Sequence, residues 1–296
     1  MSADARSRVL VSVAELAADL QLGTDPDPAA GVPVLLDVRW ALGMTDGRER
    51  YLQGHLPGAV FVDLEAELAA EPSPDEGRHP LPSASSFQRS ARAWGVRSDS
   101  RVVVYDTVGG TSAARAWWLL RYFGVRDVRL LDGGLPAWVR AGLGLEVGDV
   151  VHPPGDVVVR PGHLPVLDAD DAAELAETGT LLDARAAERY RGETEPVDPR
   201  AGHVPGAVSA PTAENLAEDG TFLDDDALGA RFAGLGLGVA DGRDQRAVGV
   251  YCGSGVTASH EIAALACLGI PAALYPGSWS QWSNDPTRPV ATGARP

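Results

Sequence analysis

Cysteine is scarce in this chain, with only Cys252 and Cys267 among 296 residues. So sparse a usage excludes a disulfide-stapled scaffold and fits a reducing compartment. Positive charge is also short. Lys and Arg together number 25 against 41 Asp and Glu, a net charge of −16, which disfavours binding to phosphate backbones and hence a nucleic-acid partner. No apolar run approaches the length of a membrane span. The stretch from Met1 to Arg6 lacks the basic and apolar regions of a signal peptide. A cytoplasmic protein with no membrane partner is therefore expected. The six histidines are scattered, and neither a metal-ligand cluster, a nucleotide fingerprint nor a phosphate loop is present, so no metal and no cofactor are expected.

What remains is the composition of a globular chain, 45% hydrophobic and 22% charged, sufficient for a sizeable core. The length suggests two domains. Short buried-strand runs, Val34 to Arg39, Arg101 to Tyr105 and Val128 to Gly134, the last ending in glycines, alternate with helical stretches such as 112–123. That alternation predicts βαβ units around a parallel sheet, an α/β fold. Ser12 with Glu15, and Asp168 with Asp171, have the spacing of helix-opening capping boxes. Residues 71–82, rich in proline and charge, read as a surface loop.

The second half of the chain repeats the first. Leu181-Leu182-Asp183-Ala184-Arg185 matches Leu35-Leu36-Asp37-Val38-Arg39, and Gly202-His203-Val204-Pro205-Gly206-Ala207 matches Gly54-His55-Leu56-Pro57-Gly58-Ala59. Val248 to Cys252 matches Val102 to Asp106. Asp37 and Asp183 are 146 positions apart, as are Asp106 and Cys252, so two domains of one fold stand in tandem. The first is placed at residues 1–145, a Gly- and Pro-rich linker at 146–165, and the second at 166–296. Because the Asp37–Arg39 and Asp183–Arg185 pairs recur in both copies, they read as structural ion pairs.

Cys252 lies in Tyr251-Cys252-Gly253-Ser254-Gly255-Val256-Thr257-Ala258, between a strand and a helical run expected from Ser259 to Leu268. Backbone N–H groups and the positive end of a helix dipole favour thiolate over thiol there. The repeat puts Asp106 at the equivalent position of the first copy, so one domain alone is expected to do thiol chemistry. Cys267, set among Leu265, Ala266 and Leu268, reads as a small buried hydrophobe.

These residues resemble a known family, the two-domain rhodanese-like sulfurtransferases. The resemblance runs from about Val9 to Trp282. It rests on Tyr51-x-x-x-His55-Leu56-Pro57-Gly58-Ala59 near the start and on Tyr275-Pro276-Gly277-Ser278-Trp279-Ser280-Gln281-Trp282 near the end, the latter departing at Gln281, where an acid is usual. The Cys252 loop is similar to the form typical of 3-mercaptopyruvate sulfurtransferases. The implied fold is a tandem of two rhodanese-like domains, each a mostly parallel sheet flanked by helices.

The resemblance implies that Cys252 takes a sulfane sulfur from a small-molecule donor, 3-mercaptopyruvate or thiosulfate. It passes the sulfur from a persulfide to cyanide, a small thiol or a thioredoxin-like protein. Gly253, Gly255, Val256 and Thr257 are expected to line the donor site. Ser254 is expected to work with a histidine and an aspartate of the first domain, matched here to His55 and Asp46, as in a serine-protease triad. For His55 a fold-stabilising role stands open beside the catalytic one, because His203 has the same context. Arg189 matches a family arginine that grips the donor's anionic group, and Arg200 is the nearest match to a second. Trp279 and Trp282 pack the core or wall the pocket. Ala258, where a phosphatase loop needs an arginine, argues against phosphate chemistry. Thiosulfate as the main donor, and a non-enzymatic persulfide carrier, stand as alternatives.

Overall fold

The computed structural model describes residues 2–20, 31–237 and 247–296. In the first half, strands β1 (Leu10–Val11), β2 (Val34–Asp37), β3 (Val60–Phe61), β4 (Arg101–Tyr105) and β5 (Asp127–Leu131) form a sheet in the order β1-β5-β4-β2-β3. In the second, β6 (Thr180–Asp183), β7 (Val208–Ser209), β8 (Val248–Tyr251) and β9 (Ala273–Leu274) form a sheet in the order β7-β6-β8-β9. Every pair is parallel. Val102, Val103 and Val104 are fully buried, as expected of a central strand covered on both faces. β1 has only a reduced counterpart in the second sheet, a single parallel bridge between Val166 and Leu274.

The repeat extends to individual hydrogen bonds. Asp37 pairs in register with Phe61 and Tyr105, and Asp183 with Ser209 and Tyr251. Arg39 holds Asp37 and the Gly54 carbonyl, and Arg185 holds Asp183 and the Gly202 carbonyl. These buried pairs serve the fold in both copies. Both expected capping boxes form, at Ser12 and at Asp168.

The 146–165 segment is pinned along the first domain. Glu146 exchanges backbone hydrogen bonds with His55, Gly155 donates to Arg92 and Arg160 to Phe123, while Val157 and Val159 are buried. Helices Ala113–Tyr122 and Val256–Cys267 pack against each other between the two sheets. Their mutual packing leaves both buried on nearly every side, polar residues such as Arg115, His260 and Glu261 included. Among the described residues, no helix is long and apolar enough to cross a membrane.

Candidate active site

The Cys252 loop is tighter than its sequence suggests. The following helix begins at Val256, three residues ahead of the expected Ser259, because Gly255 takes a left-handed φ of 77° and turns the chain directly into it. Val256 and Thr257 are thus first-turn residues, whose N–H groups have no partner within the helix. Cys252 is buried, and its Sγ accepts the Gly255 N–H at 3.1 Å.

Behind the loop, the Cys252 N–H donates to Ser278 Oγ at 3.2 Å, and Ser278 Oγ–H donates to the Tyr275 carbonyl at 2.8 Å. Ser278, at φ 53°, is the one non-glycine residue with positive φ among those described. That strain accompanies a hydroxyl placed to anchor the loop. Trp279 and Ser280 donate their N–H groups to the carbonyls of Cys252 and Gly253.

In the first copy Asp106 fills its own loop. Its carboxylate accepts the N–H groups of Val108, Gly110, Ser112 and Ala113 at 2.8 to 2.9 Å. A carboxylate that gathers four donors keeps the chain looped up to Ser112. Where cysteine replaces it, the helix can start earlier.

A cavity of about 600 Å³ opens over Cys252, lined from both domains by residues that include Trp40, Arg78, Thr111, Arg189, Ser254 and Thr257. Gly253 and Val256 also line it; Gly255 contributes its N–H to the sulfur. A Cβ on Gly253 would lie 2.9 Å from Arg78 Nη2 and 3.5 Å from Arg189 Nη1. Glycine therefore lets two guanidinium groups approach the loop backbone. Arg189 is held by Glu195 at 2.6 Å and Asp198 at 3.2 Å, and Arg78 by the other oxygen of Asp198. Arg78 comes from the 71–82 segment, which the sequence presented as a plain surface loop.

The same segment brings His79. Its Nδ1 lies 2.7 Å from Ser254 Oγ, and its Nε2 lies 3.1 Å from Glu65 Oε2. With Nε2–H facing the carboxylate, Nδ1 is left to accept the serine hydroxyl. Trp40 completes the corner, donating Nε1–H to Glu65 and meeting the His79 ring edge-on. Burial lowers the His79 pKa, Glu65 pulls it back up, and Arg115 and Arg78 push it down again. The segment is docked by Gln281, which accepts from Tyr275 Oη and donates to the Asp75 carbonyl. An acid at 281 could do only the first.

Three expectations do not meet this geometry. His55 is buried away from the cavity, stacked on Tyr51 at 4.2 Å with Nδ1 on the Tyr51 carbonyl. His203 repeats that arrangement on Tyr190, so both histidines serve the turn that they share. Asp46 begins the helix Gly47–Gln53 on the surface and pairs with Arg50. Arg200 spends its guanidinium on the carbonyls of Trp282, Ser283, Asp285 and Arg288, clamping the C-terminal segment. The structure instead brings His79 and Glu65 to Ser254, and Arg78 to the side of Arg189. One sequence signal distinguished the histidines, since His79 has no counterpart in the second copy and His55 does. Trp279 and Trp282 are buried, with their Nε1–H groups on Arg200 and Pro289, and Trp40 is the tryptophan that faces the cavity. Cys267 is fully buried, and burial pushes its thiol up to about 12.

Known proteins share this architecture. The rhodanese-like domain model matches residues 16–141 and 168–285. A Mycobacterium tuberculosis protein, SseB, provisionally named a thiosulfate sulfurtransferase, is 51% identical over 98% of this chain and 99% of its own length. A Pseudomonas aeruginosa protein, provisionally named a 3-mercaptopyruvate sulfurtransferase, is 47% identical over 97% of this chain and 99% of its own. The crystal structure of SseA from Escherichia coli, a 3-mercaptopyruvate sulfurtransferase, superimposes with a TM-score of 0.78 at 37% identity, covering 91% of this chain and 98% of that one. With both halves matched and its sheets repeated in tandem, the chain belongs to the rhodanese family.

Proposed function

We propose that the protein is a sulfurtransferase that moves a sulfane sulfur from 3-mercaptopyruvate to a thiol or cyanide through a persulfide on Cys252. The observation that supports this most is the meeting, over one cysteine, of two arginines and a Ser254–His79–Glu65 relay. The donor carries a carboxylate for Arg189 and Arg78 and a ketone for the relay. The Cys252 thiolate attacks the donor's sulfur, an S–S bond forms, and the C–S bond breaks with its electron pair on carbon. The resulting enolate of pyruvate takes up the proton that the donor thiol gives up, and Ser254, backed by His79, is placed to pass it. A thiol or cyanide then attacks the outer sulfur and frees Cys252 as thiolate.

Thiosulfate is the second reading, favoured by the name of the M. tuberculosis relative and by the same pair of arginines, which suits a sulfonate equally. Its leaving group, sulfite, needs no proton, so the relay would have no task. Comparing kcat/KM for the two donors in purified protein tests the proposal. Turnover of mercaptopyruvate well above that of thiosulfate supports it, and the reverse overturns the choice of donor. If neither donor yields sulfide or thiocyanate and a protein partner alone loads Cys252, the molecule is a persulfide carrier.

A further inference from the structure

Arg115, in the first domain, is fully buried, yet among the described residues none of its hydrogen bonds reaches a carboxylate. Its guanidinium donates only to carbonyls: Leu68, His79, Pro80 and, at 3.5 Å, Gly255 of the reactive loop. A buried cation without an opposite charge is costly to desolvate. Gly255 is also the residue whose N–H meets Cys252 Sγ, and a Cβ there would lie 3.4 Å from Arg115 Nη1. The guanidinium therefore sits against the loop, and it is not among the residues that line the cavity.

The repeat makes the placement informative. Gly109 and Gly255 are equivalent, each 146 positions from the other, and each has its carbonyl contacted by a helix of the opposite domain. At Gly109 the visitor is His260 Nε2, at 3.1 Å. Burial lowers that histidine to about 4, so it is neutral in the physiological range. At Gly255 the visitor is a cation. The inert loop holds a carboxylate already satisfied by four N–H groups, whereas the reactive loop offers its sulfur one such bond.

We propose that Arg115 is the buried counter-charge of the Cys252 sulfur, holding it anionic as thiolate and then as persulfide. It is a positioning residue, since it reaches the sulfur through the loop and touches no donor. Burial pushes its guanidinium down to about 10, and the charge on Cys252 acts in the opposite sense. The other ionisable groups around the loop and its cavity are Arg78, Arg185, Arg189 and His79, already bonded to Asp198, Asp183, Glu195 and Glu65, and the carboxylates Glu188 and Glu214 on the cavity wall. Arg115 is thus the cation around Cys252 whose charge no carboxylate answers.

This inference rests on Cys252 being the reactive thiol, but its test does not depend on sulfur transfer. Iodoacetamide reads the charge on Cys252 whether or not any donor is turned over, and mass spectrometry of the labelled peptide separates it from Cys267. In Arg115→Gln, which keeps a donor but loses the charge, the pH profile of alkylation should move up by about one unit or more, making labelling near pH 7 roughly tenfold slower. Arg115→Lys should restore most of the rate. Profiles of wild type and folded Arg115→Gln that superimpose overturn the proposal.

Should Arg115→Gln fail to fold, comparing wild type with Cys252→Ser tests the anionic sulfur that the proposal requires. An unfolded thiol keeps its proton up to about pH 8.5. A charge-balanced thiolate therefore makes wild type gain stability over the serine variant as pH rises towards that value. Stability curves that stay parallel from pH 6 to 9 overturn the proposal.

Discussion

Replacing His79 and His55 separately by asparagine distinguishes the relay from the turn. His79 bonds Ser254 on one nitrogen and Glu65 on the other, so asparagine removes a group able to accept a proton and pass it on. Loss of such a group lowers kcat/KM for 3-mercaptopyruvate by about 10²- to 10⁴-fold, or roughly 3 to 5 kcal/mol of barrier. Some stability is lost as well, because His79 is buried and bonded to Ser254, but its contact with the 60% exposed Glu65 side chain contributes about 1 kcal/mol or less. Thiosulfate turnover should be nearly untouched, since sulfite leaves without a proton. His55→Asn reverses the pattern. It removes a buried ring stacked on Tyr51, a change of about 2 kcal/mol or more that lowers Tm by roughly 5 °C while the folded protein stays active. Steady-state assays with both donors, beside calorimetry of both variants, are the measurement. The reasoning is refuted if His79→Asn impairs the two donors equally, or if His55→Asn loses activity at unchanged Tm.

The remaining predictions concern pH, substrate affinity and strain. Because burial keeps the His79 imidazole neutral below its ordinary 6.5, the acid limb of kcat/KM for mercaptopyruvate should fall below that pH and be absent with thiosulfate. His260, lowered to about 4 from 6.5, refuses a proton that the unfolded chain accepts. Stability should therefore drop by roughly 3 kcal/mol between pH 6.5 and 4 and be independent of this residue above 6.5, a slope that His260→Gln abolishes in thermal melts. Arg189→Ala should raise KM for either donor by about 10- to 100-fold, the loss of a charge-assisted bond, while iodoacetamide still labels Cys252. Ser278→Ala loses the hydroxyl and keeps the left-handed strain, whereas Ser278→Gly loses the hydroxyl and relieves it. Glycine should therefore be the more stable of the two by about 1 kcal/mol in denaturant titrations.

The parts of this molecule that the sequence displayed are those built from local pattern. Valine-rich strands and the recurring Leu-Leu-Asp and Gly-His-x-Pro-Gly segments disclosed a doubled α/β fold. Cys252, Ser254 and Arg189 stood inside recognisable stretches of the second copy. The half of the site from the first domain obeys no period. Arg78 and His79 sit in an irregular segment whose place depends on docking at Gln281, and Glu65 meets them only once the chain has turned back. Arg115 read as one more residue of an interior helix, because nothing in its neighbours discloses that a loop 140 residues away lies against it. His55 reads as a catalytic candidate because it stands in a conspicuous motif, with a fold-stabilising role open beside it, and its duplication at His203 is the sign of a duty shared by both folds.

The four N–H groups gathered by Asp106 bear on the history open to this gene product. Restoring cysteine at 106 would return a thiol to a loop still shaped for a carboxylate, faced by neutral His260 where the working loop faces Arg115. A second centre would need the loop shortened, a cation introduced and a proton relay built from the opposite side. The first copy, whose loop holds a carboxylate where the second has a thiol, places Arg78 and His79 beside Cys252 and Ser254, so a single substitution at 106 would not make the two copies alike.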